Sequence, residues 1–373
     1  MKFNVSGKTF QNQLQAVSKV INAKNALSIL DNFLLKVEGD RLSITGSDQE
    51  NVMTAYMEIT ESECDGEIAV PAKRLLEVIK EISSQPLTFV INDDTKEVDI
   101  RFLNGHFNFM GVDAAEYPLS RTPDAEAKTI IFPASIAQKG IENTLFAVSA
   151  DTVRPIMTGI YWDIHEGDIT FVSSDTHKLV RYINREYAPG FDASFIMPSK
   201  PASILRSIIG KDDADVKLTF DSKGAVFEIG DFILSCLFIK GTYPNYNRVI
   251  PTDSPFSLTV DRVSLLNALR RVCLFAAKSS NLVVLKLDTA GINITSQDLD
   301  YGTSAEENVS CDYEGNKMTI GFNGQFMIEI LNNLHDEAVV IKLSDPARPG
   351  VYSPLKQQEG EEVITIQMPM QVL

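Results

Sequence analysis

Residues 42–55 read LSITGSDQENVMTA, residues 169–182 read ITFVSSDTHKLVRY, and residues 292–305 read INITSQDLDYGTSA. Each opens as an alternating apolar run, the period of a strand with one buried face. Each closes in a polar turn with one Asp: Asp48, Asp175 and Asp298. These are 127 and 123 residues apart. Solenoid units repeat at roughly 20–50 residues, so this period is a whole domain used three times.

The repetition extends outward from the turns. Upstream, each copy has a strand followed by an amphipathic helical stretch: residues 8–22, 129–149 and 256–276. In the first, Phe10, Leu14, Val17 and Ile21 recur at helical spacing. In the third, Asp261 stands where a helix N-cap belongs. Downstream, each copy has a strand running into a second helix: GEIAVPAKRLLEVIKEI (66–82), ASFIMPSKPASILRSII (193–209) and NKMTIGFNGQFMIEILNNL (316–334). Pro71 and Pro198 mark the strand-to-helix switch, and Asn323 caps it in the third copy. Tyr117-Pro118 and Tyr243-Pro244, 126 residues apart, precede linkers rich in Pro, Asp and Thr. The expected domains are residues 1–124, 129–251 and 255–373. Each is α+β, with two helices packed on about eight short antiparallel strands. The two helices per copy argue against an array of adhesion β-sandwiches.

The chain carries a formal charge of −16, which alone argues against a polyanionic partner. Sorting the charge by element changes that. Helical windows at 7–22, 71–83, 133–149, 198–211, 260–278 and 323–335 hold thirteen basic and five acidic residues, out of 34 and 50 in the chain. The helices therefore reverse the sign of the protein, as they would if they shared one side facing a polyanion. Without aromatic-rich basic clusters, single-strand readout by stacking is not expected.

A search for chemistry finds little. Cys64, Cys236, Cys273 and Cys311 are isolated and read as reduced thiols of a cytoplasmic protein. The N-terminus MKFNVSGKTF lacks an apolar signal core, and no run is long enough to span a membrane. His106, His165, His177 and His335 show no ligand spacing, and no phosphate loop or nucleophile elbow occurs. The three Asp read as turn formers bonding local N–H groups. No catalytic residue, metal site or cofactor is expected. Two places break the repeat: SSDTHKL in copy two, and the apolar tail IQMPMQVL. An apolar tail docks on a core or borders a groove, and Met suits grooves with several partners.

The opening MKF, the three domains, SSDTHKL, TYPNYNRVIP, IGFN and the final MPM together resemble the bacterial DNA polymerase III beta subunit, the sliding clamp family. The resemblance implies a non-catalytic processivity factor: a head-to-tail homodimeric ring encircling double-stranded DNA without sequence preference. It also implies partners that dock by short peptides, including the DNA polymerase III alpha subunit and the clamp loader, and no membrane. Carried over position by position, Lys24, Lys73, Arg74, Lys80, Lys200 and Arg206 face DNA. The peptide groove takes Met157, Thr176, His177, Lys178, Leu179, Pro244, Arg248 and Val249 from copy two, with Asn323, Phe326, Ala347, Ile366, Met368, Pro369 and Met370 from copy three. The dimer interface sets Leu274 and Phe275 against Phe107 and Phe109. The chain departs from the family pattern at Thr176, where Gly is common, at Lys178, where Arg is common, and in a tail one residue longer.

Overall fold

The computed structural model describes residues 1–210 and 215–372. Lys211, counted above in the fourth helical window, lies outside the described residues. Among the described residues, six helices appear in chain order: α1 (Gly7–Ser18), α2 (Ala72–Ile82), α3 (Ala134–Thr144), α4 (Ser199–Ile208), α5 (Arg262–Val272) and α6 (Gly324–Asn333). All six fall in the expected windows, though several end early. Leu145–Ala147 and Cys273–Phe275 tighten into 3-10 turns after α3 and α5. In α1, Phe10, Leu14 and Val17 are fully buried on one stripe. Asp261 caps α5 by accepting from Ser264 N at 2.7 Å, and Asn323 caps α6 by accepting from Gln325 N and Phe326 N.

The Asp turns do what their residue type predicts. Asp48 Oδ1 accepts from Glu50 N and Asn51 N, at 3.1 and 2.7 Å. Asp175 Oδ1 accepts from His177 N and Lys178 N, at 2.9 and 2.8 Å. Asp298 Oδ1 accepts from Asp300 N and Tyr301 N, at 3.1 and 3.4 Å. Each short carboxylate satisfies backbone donors that the turn would otherwise leave unpaired.

The described strands form four antiparallel sheets. One runs Gly66–Pro71, Asn32–Glu38, Arg41–Ser47, Asn51–Glu58, Phe232–Leu237, Gly224–Ile229, Asp215–Phe220, Lys128–Pro133. Another runs Ala193–Pro198, Gly159–His165, Asp168–Ser174, Lys178–Asn184, Glu361–Gln367, Gly350–Pro354, Ala338–Leu343, Phe256–Asp261, Asp312–Glu314. Two four-stranded sheets remain. The first is Lys2–Ser6, Pro86–Ile91, Glu97–Phe102, Gly105–Met110, and the second is Thr303–Val309, Gly291–Asp298, Leu282–Asp288, Met318–Asn323.

Two compact units result: residues 1–138 with 200–238, and residues 139–199 with 239–373. They do not follow the three repeats, because each long sheet is shared by two copies. In the first unit, Asn51–Glu58 of copy one pairs with Phe232–Leu237 of copy two, Asn51 opposite Cys236. In the second, Lys178–Asn184 of copy two pairs with Glu361–Gln367 of copy three, Lys178 opposite Gln367. Within each unit, a ladder of backbone bonds ties two copies together.

Candidate functional site

Within the second unit, the Asp175 turn opens into a cavity of about 250 Å3. Its wall includes nine of the fifteen groove residues expected from sequence: Met157, Thr176, His177, Lys178, Leu179, Pro244, Val249, Ile366 and Met368. Ser174, Tyr243, Asn245 and Tyr246 complete it. The sequence reading missed these four. The motif TYPNY, already singled out, held three of them, and the alternation of the strand held Ser174.

Local chemistry explains why these residues stand here. Tyr161 and Tyr243 stack at 4.7 Å with their planes 3° apart. Tyr246 Oη donates to Asp163 Oδ2 at 2.8 Å, and burial, then that carboxylate, push its pKa well above the ordinary phenol value. Lys178 is buried. Its ammonium bonds Asp175 Oδ2 at 2.6 Å, pairs with Glu329 at 3.0 Å and lies 4.3 Å over the Phe326 ring. A charge so compensated shapes the wall and offers no free cation to a ligand. The His177 ring stacks on Phe326 at 5.8 Å.

The tail lies down beside this cavity. Met368 N donates to His177 O at 2.8 Å, and Met370 N to Gly321 O at 2.8 Å. The second bond bridges the tail to Met318–Asn323, the edge of a sheet. Gly321 is required there, because a Cβ would sit 2.8 Å from Met370 O and 2.9 Å from Val372 Cγ2. A second, shallower depression of about 700 Å3 holds Ala347, Pro369 and Met370 with Thr319 and Asp345.

Three expected groove residues line neither cavity. Arg248 sits exposed in the 3-10 turn Tyr246–Arg248. Phe326 carries the His177 and Lys178 contacts described above. Asn323 is occupied within the fold. Besides capping α6, its Nδ2 donates to Ser280 O at 3.2 Å and its carbonyl accepts from Gln367 Nε2 at 2.9 Å.

Of the six basic residues expected to face DNA, Lys24, Lys73, Arg74, Lys80 and Arg206 are exposed and form no ion pair among the described residues. Lys200 differs. Its ammonium pairs with Asp48 and donates to Val20 O and to Asn22 Oδ1, the last at 2.8 Å. It ties helix α4 to the first Asp turn and the end of α1, so it is not a free cation. The ion pair does not take Lys200 out of solvent, since its side chain is still 34% exposed.

Phe107 and Phe109 lie half-buried on the strand Gly105–Met110, alternating with exposed neighbours. That strand is a sheet edge. Leu274 and Phe275, in the turn after α5, are 80% and 41% exposed. No helix is long and apolar enough to cross a membrane, and no group of three His, Cys, Asp or Glu is placed to hold a metal ion, both among the described residues.

Three family models match in sequence order. The DNA polymerase III beta subunit N-terminal domain covers residues 1–121, its central domain 132–245 and its C-terminal domain 247–371. The chain belongs to the DNA polymerase III beta subunit family. Among curated beta sliding clamps, that of Staphylococcus epidermidis is 26% identical over 383 residues, covering 99% of both chains. That of Staphylococcus aureus is 25% identical over 377 residues, covering 98% of this chain and 97% of the relative. Two solved structures share the fold across 100% of both chains at a TM-score of 0.94: the Pseudomonas aeruginosa DnaN sliding clamp bound to griselimycin, at 23% identity, and the beta subunit from DNA polymerase of Streptococcus pyogenes, at 21%. Members of this family are non-catalytic. A wall of apolar side chains with every buried charge compensated accords with binding and provides no reacting group.

Proposed function

We propose that this chain is the processivity clamp of a bacterial replicative polymerase, acting as a head-to-tail dimer closed around duplex DNA. One observation carries the reading. The same inter-copy joint is used twice within the chain, and its two halves recur unjoined. Asn51–Glu58 and Lys178–Asn184 each find a partner strand; their counterpart in copy three, Thr303–Val309, is a sheet edge. Phe232–Leu237 and Glu361–Gln367 are likewise joined, and their counterpart in copy one, Gly105–Met110, is an edge. Two complementary open edges make a heterologous contact, which closes into a ring when the rotation allows. With three copies per chain, two chains supply six.

The internal joints foretell the third. Phe146, in the turn after α3, packs against the core of copy three. Phe275 occupies the same place after α5, so with Leu274 it would pack on copy one of a second chain. Lys200, two residues beyond Pro198, reaches Asp48. Lys73, two residues beyond Pro71, would reach Asp298 of a second chain in the same way. This reassigns Lys73 from DNA to the joint. Lys24, Arg74, Lys80 and Arg206 remain as cations for phosphate, giving a sequence-independent, salt-sensitive attraction that permits sliding. The two cavities beside the tail are read as the docking groove for peptides of the polymerase alpha subunit and the clamp loader. An apolar pocket next to a sheet edge suits an extended chain. The domains in this reading are residues 1–124, 129–251 and 255–373.

Topology provides the test. Loaded by its cognate loader, the protein should remain on nicked circular DNA through gel filtration and leave when that DNA is linearised. Equal retention on both forms would mean electrostatic binding without encirclement.

A further inference from the structure

The turn that opens the cavity holds Thr176 at φ +77°. Left-handed backbone is uncommon for any residue with a Cβ, and for a β-branched one it is an outlier. The wiring of the turn is inherited. In copy one Gln49 sits at φ +81° and its N–H donates to Ser47 Oγ at 3.1 Å; in copy two the Thr176 N–H donates to Ser174 Oγ at 3.1 Å. Copy one meets this backbone with an unbranched side chain. Copy two retains branching at the same place, on the rim of the cavity and exposed.

The other polar side chains of the wall narrow the explanation. Ser174 Oγ donates to Lys178 O at 2.8 Å, Lys178 is held by two carboxylates, and Tyr246 Oη bonds Asp163. The Tyr243 hydroxyl has no partner among the described residues and is itself shut away from solvent. The Thr176 hydroxyl forms no bond among the described residues, and it stands exposed at the rim. Its branched carbon contributes to no buried cluster, so core packing does not account for the strained backbone. The turn wiring accounts for the left-handed backbone in both copies; what is particular to copy two is a β-branched residue on that backbone at the cavity rim, where a use for its side chain is expected.

We propose that Thr176 is a specificity-determining residue of the groove: its hydroxyl hydrogen-bonds the main chain of the incoming peptide. The strained backbone sets this residue on the exposed rim of the cavity. An apolar cavity fixes a side chain by shape alone and leaves its chain direction open, so one rim hydroxyl that bonds main chain selects the orientation. This rests on the reading of the cavity as a peptide groove.

The experiment measures fluorescence polarisation of a labelled peptide carrying the clamp-binding segment of the cognate DNA polymerase III alpha subunit, alongside thermal unfolding. Thr176→Val keeps the branch and the strain and loses only the hydroxyl. It should weaken the peptide about fivefold at an unchanged Tm, as loss of one hydrogen bond does. Thr176→Ser should bind within about twofold of wild type. Thr176→Gly should raise Tm by relieving the strain and still weaken the peptide, and it carries the test if the Val variant does not fold. Wild-type affinity in Thr176→Val, or in Thr176→Gly where the Val variant does not fold, would overturn the proposal. Deletion of Met368–Leu373 separates the two readings. If the deletion abolishes binding while the Thr176 variants bind normally, only the role of Thr176 falls; if the deletion binds normally, the groove itself is misplaced.

Discussion

Tyr117-Pro118 and Tyr243-Pro244 are the same dipeptide in two copies of one domain, yet one seals and the other opens. Tyr117 Oη shares its one proton between Asn32 O at 2.8 Å and Thr45 O at 3.2 Å, and its ring packs with Leu34, Ala69 and Ala114. The chain beyond it is pinned where Arg121 meets Asp221, whose carboxylate also accepts from Asp124 N. Tyr243 instead stacks on Tyr161, its hydroxyl has no partner, and the chain beyond it turns back as Tyr246–Arg248 to wall a cavity. The joints reverse charge as well. At the first, a helix lysine, Lys200, meets the turn carboxylate Asp48. At the second, a helix carboxylate, Glu329, meets the turn lysine, Lys178. A repeated domain thus opens a cavity by leaving bonds unmade in one copy that another copy completes.

The largest expected effect breaks the joint at its open ends. Leu274→Asp combined with Phe275→Asp should convert an assembly near twice 41.3 kDa into folded monomers by light scattering. An unchanged mass would mean that the exposed pair plays no part in closing the ring.

A smaller effect tests the sealed copy. Burial would raise the Asp221 pKa, but Arg121 and the N–H groups of Lys223, Asp124 and Gly224 outweigh it and hold the carboxylate well below the ordinary range. A group whose folded pKa is depressed stabilises above its unfolded value, near about 4, and that contribution is lost as pH falls. Asp221→Asn leaves the half-buried Arg121 unpaired, so denaturant unfolding at neutral pH should show a loss of about 2 kcal/mol. The gap from wild type should shrink below about pH 4, as wild type loses the same interaction. A gap constant across that range would refute the assignment.

The smallest effect compares the two tyrosines directly. Tyr117→Phe removes a buried hydroxyl that is hydrogen-bonded to main-chain carbonyl oxygen and should destabilise by about 1 kcal/mol. Tyr243→Phe removes a hydroxyl with no partner and should leave stability within about 0.5 kcal/mol of wild type. Equal losses would erase the contrast.

The repeat, the helix windows and the Asp turns were legible in the chain because they depend on local chemistry: periodicity, capping and carboxylates bonding nearby N–H groups. Most of the residues around the two cavities beside the tail were named through the resemblance, since SSDTHKL and MPM are contiguous motifs. The bonds of Lys200 and Asn323 within the fold were not legible, because their partners lie far away in sequence. Asp48 lies 152 residues from Lys200, and Gln367 lies 44 from Asn323.

The sequence by itself determined that one α+β domain occurs three times, with its charge sorted onto helices, because those properties repeat at fixed spacing along the chain. Only the tertiary structure decided which strands join copies and which edges stay open. It alone also separated the lysines already paired with carboxylates from those left for a partner. Strand pairing and ion pairing join residues that the chain holds far apart, and no local pattern records which of several similar edges or carboxylates will be met.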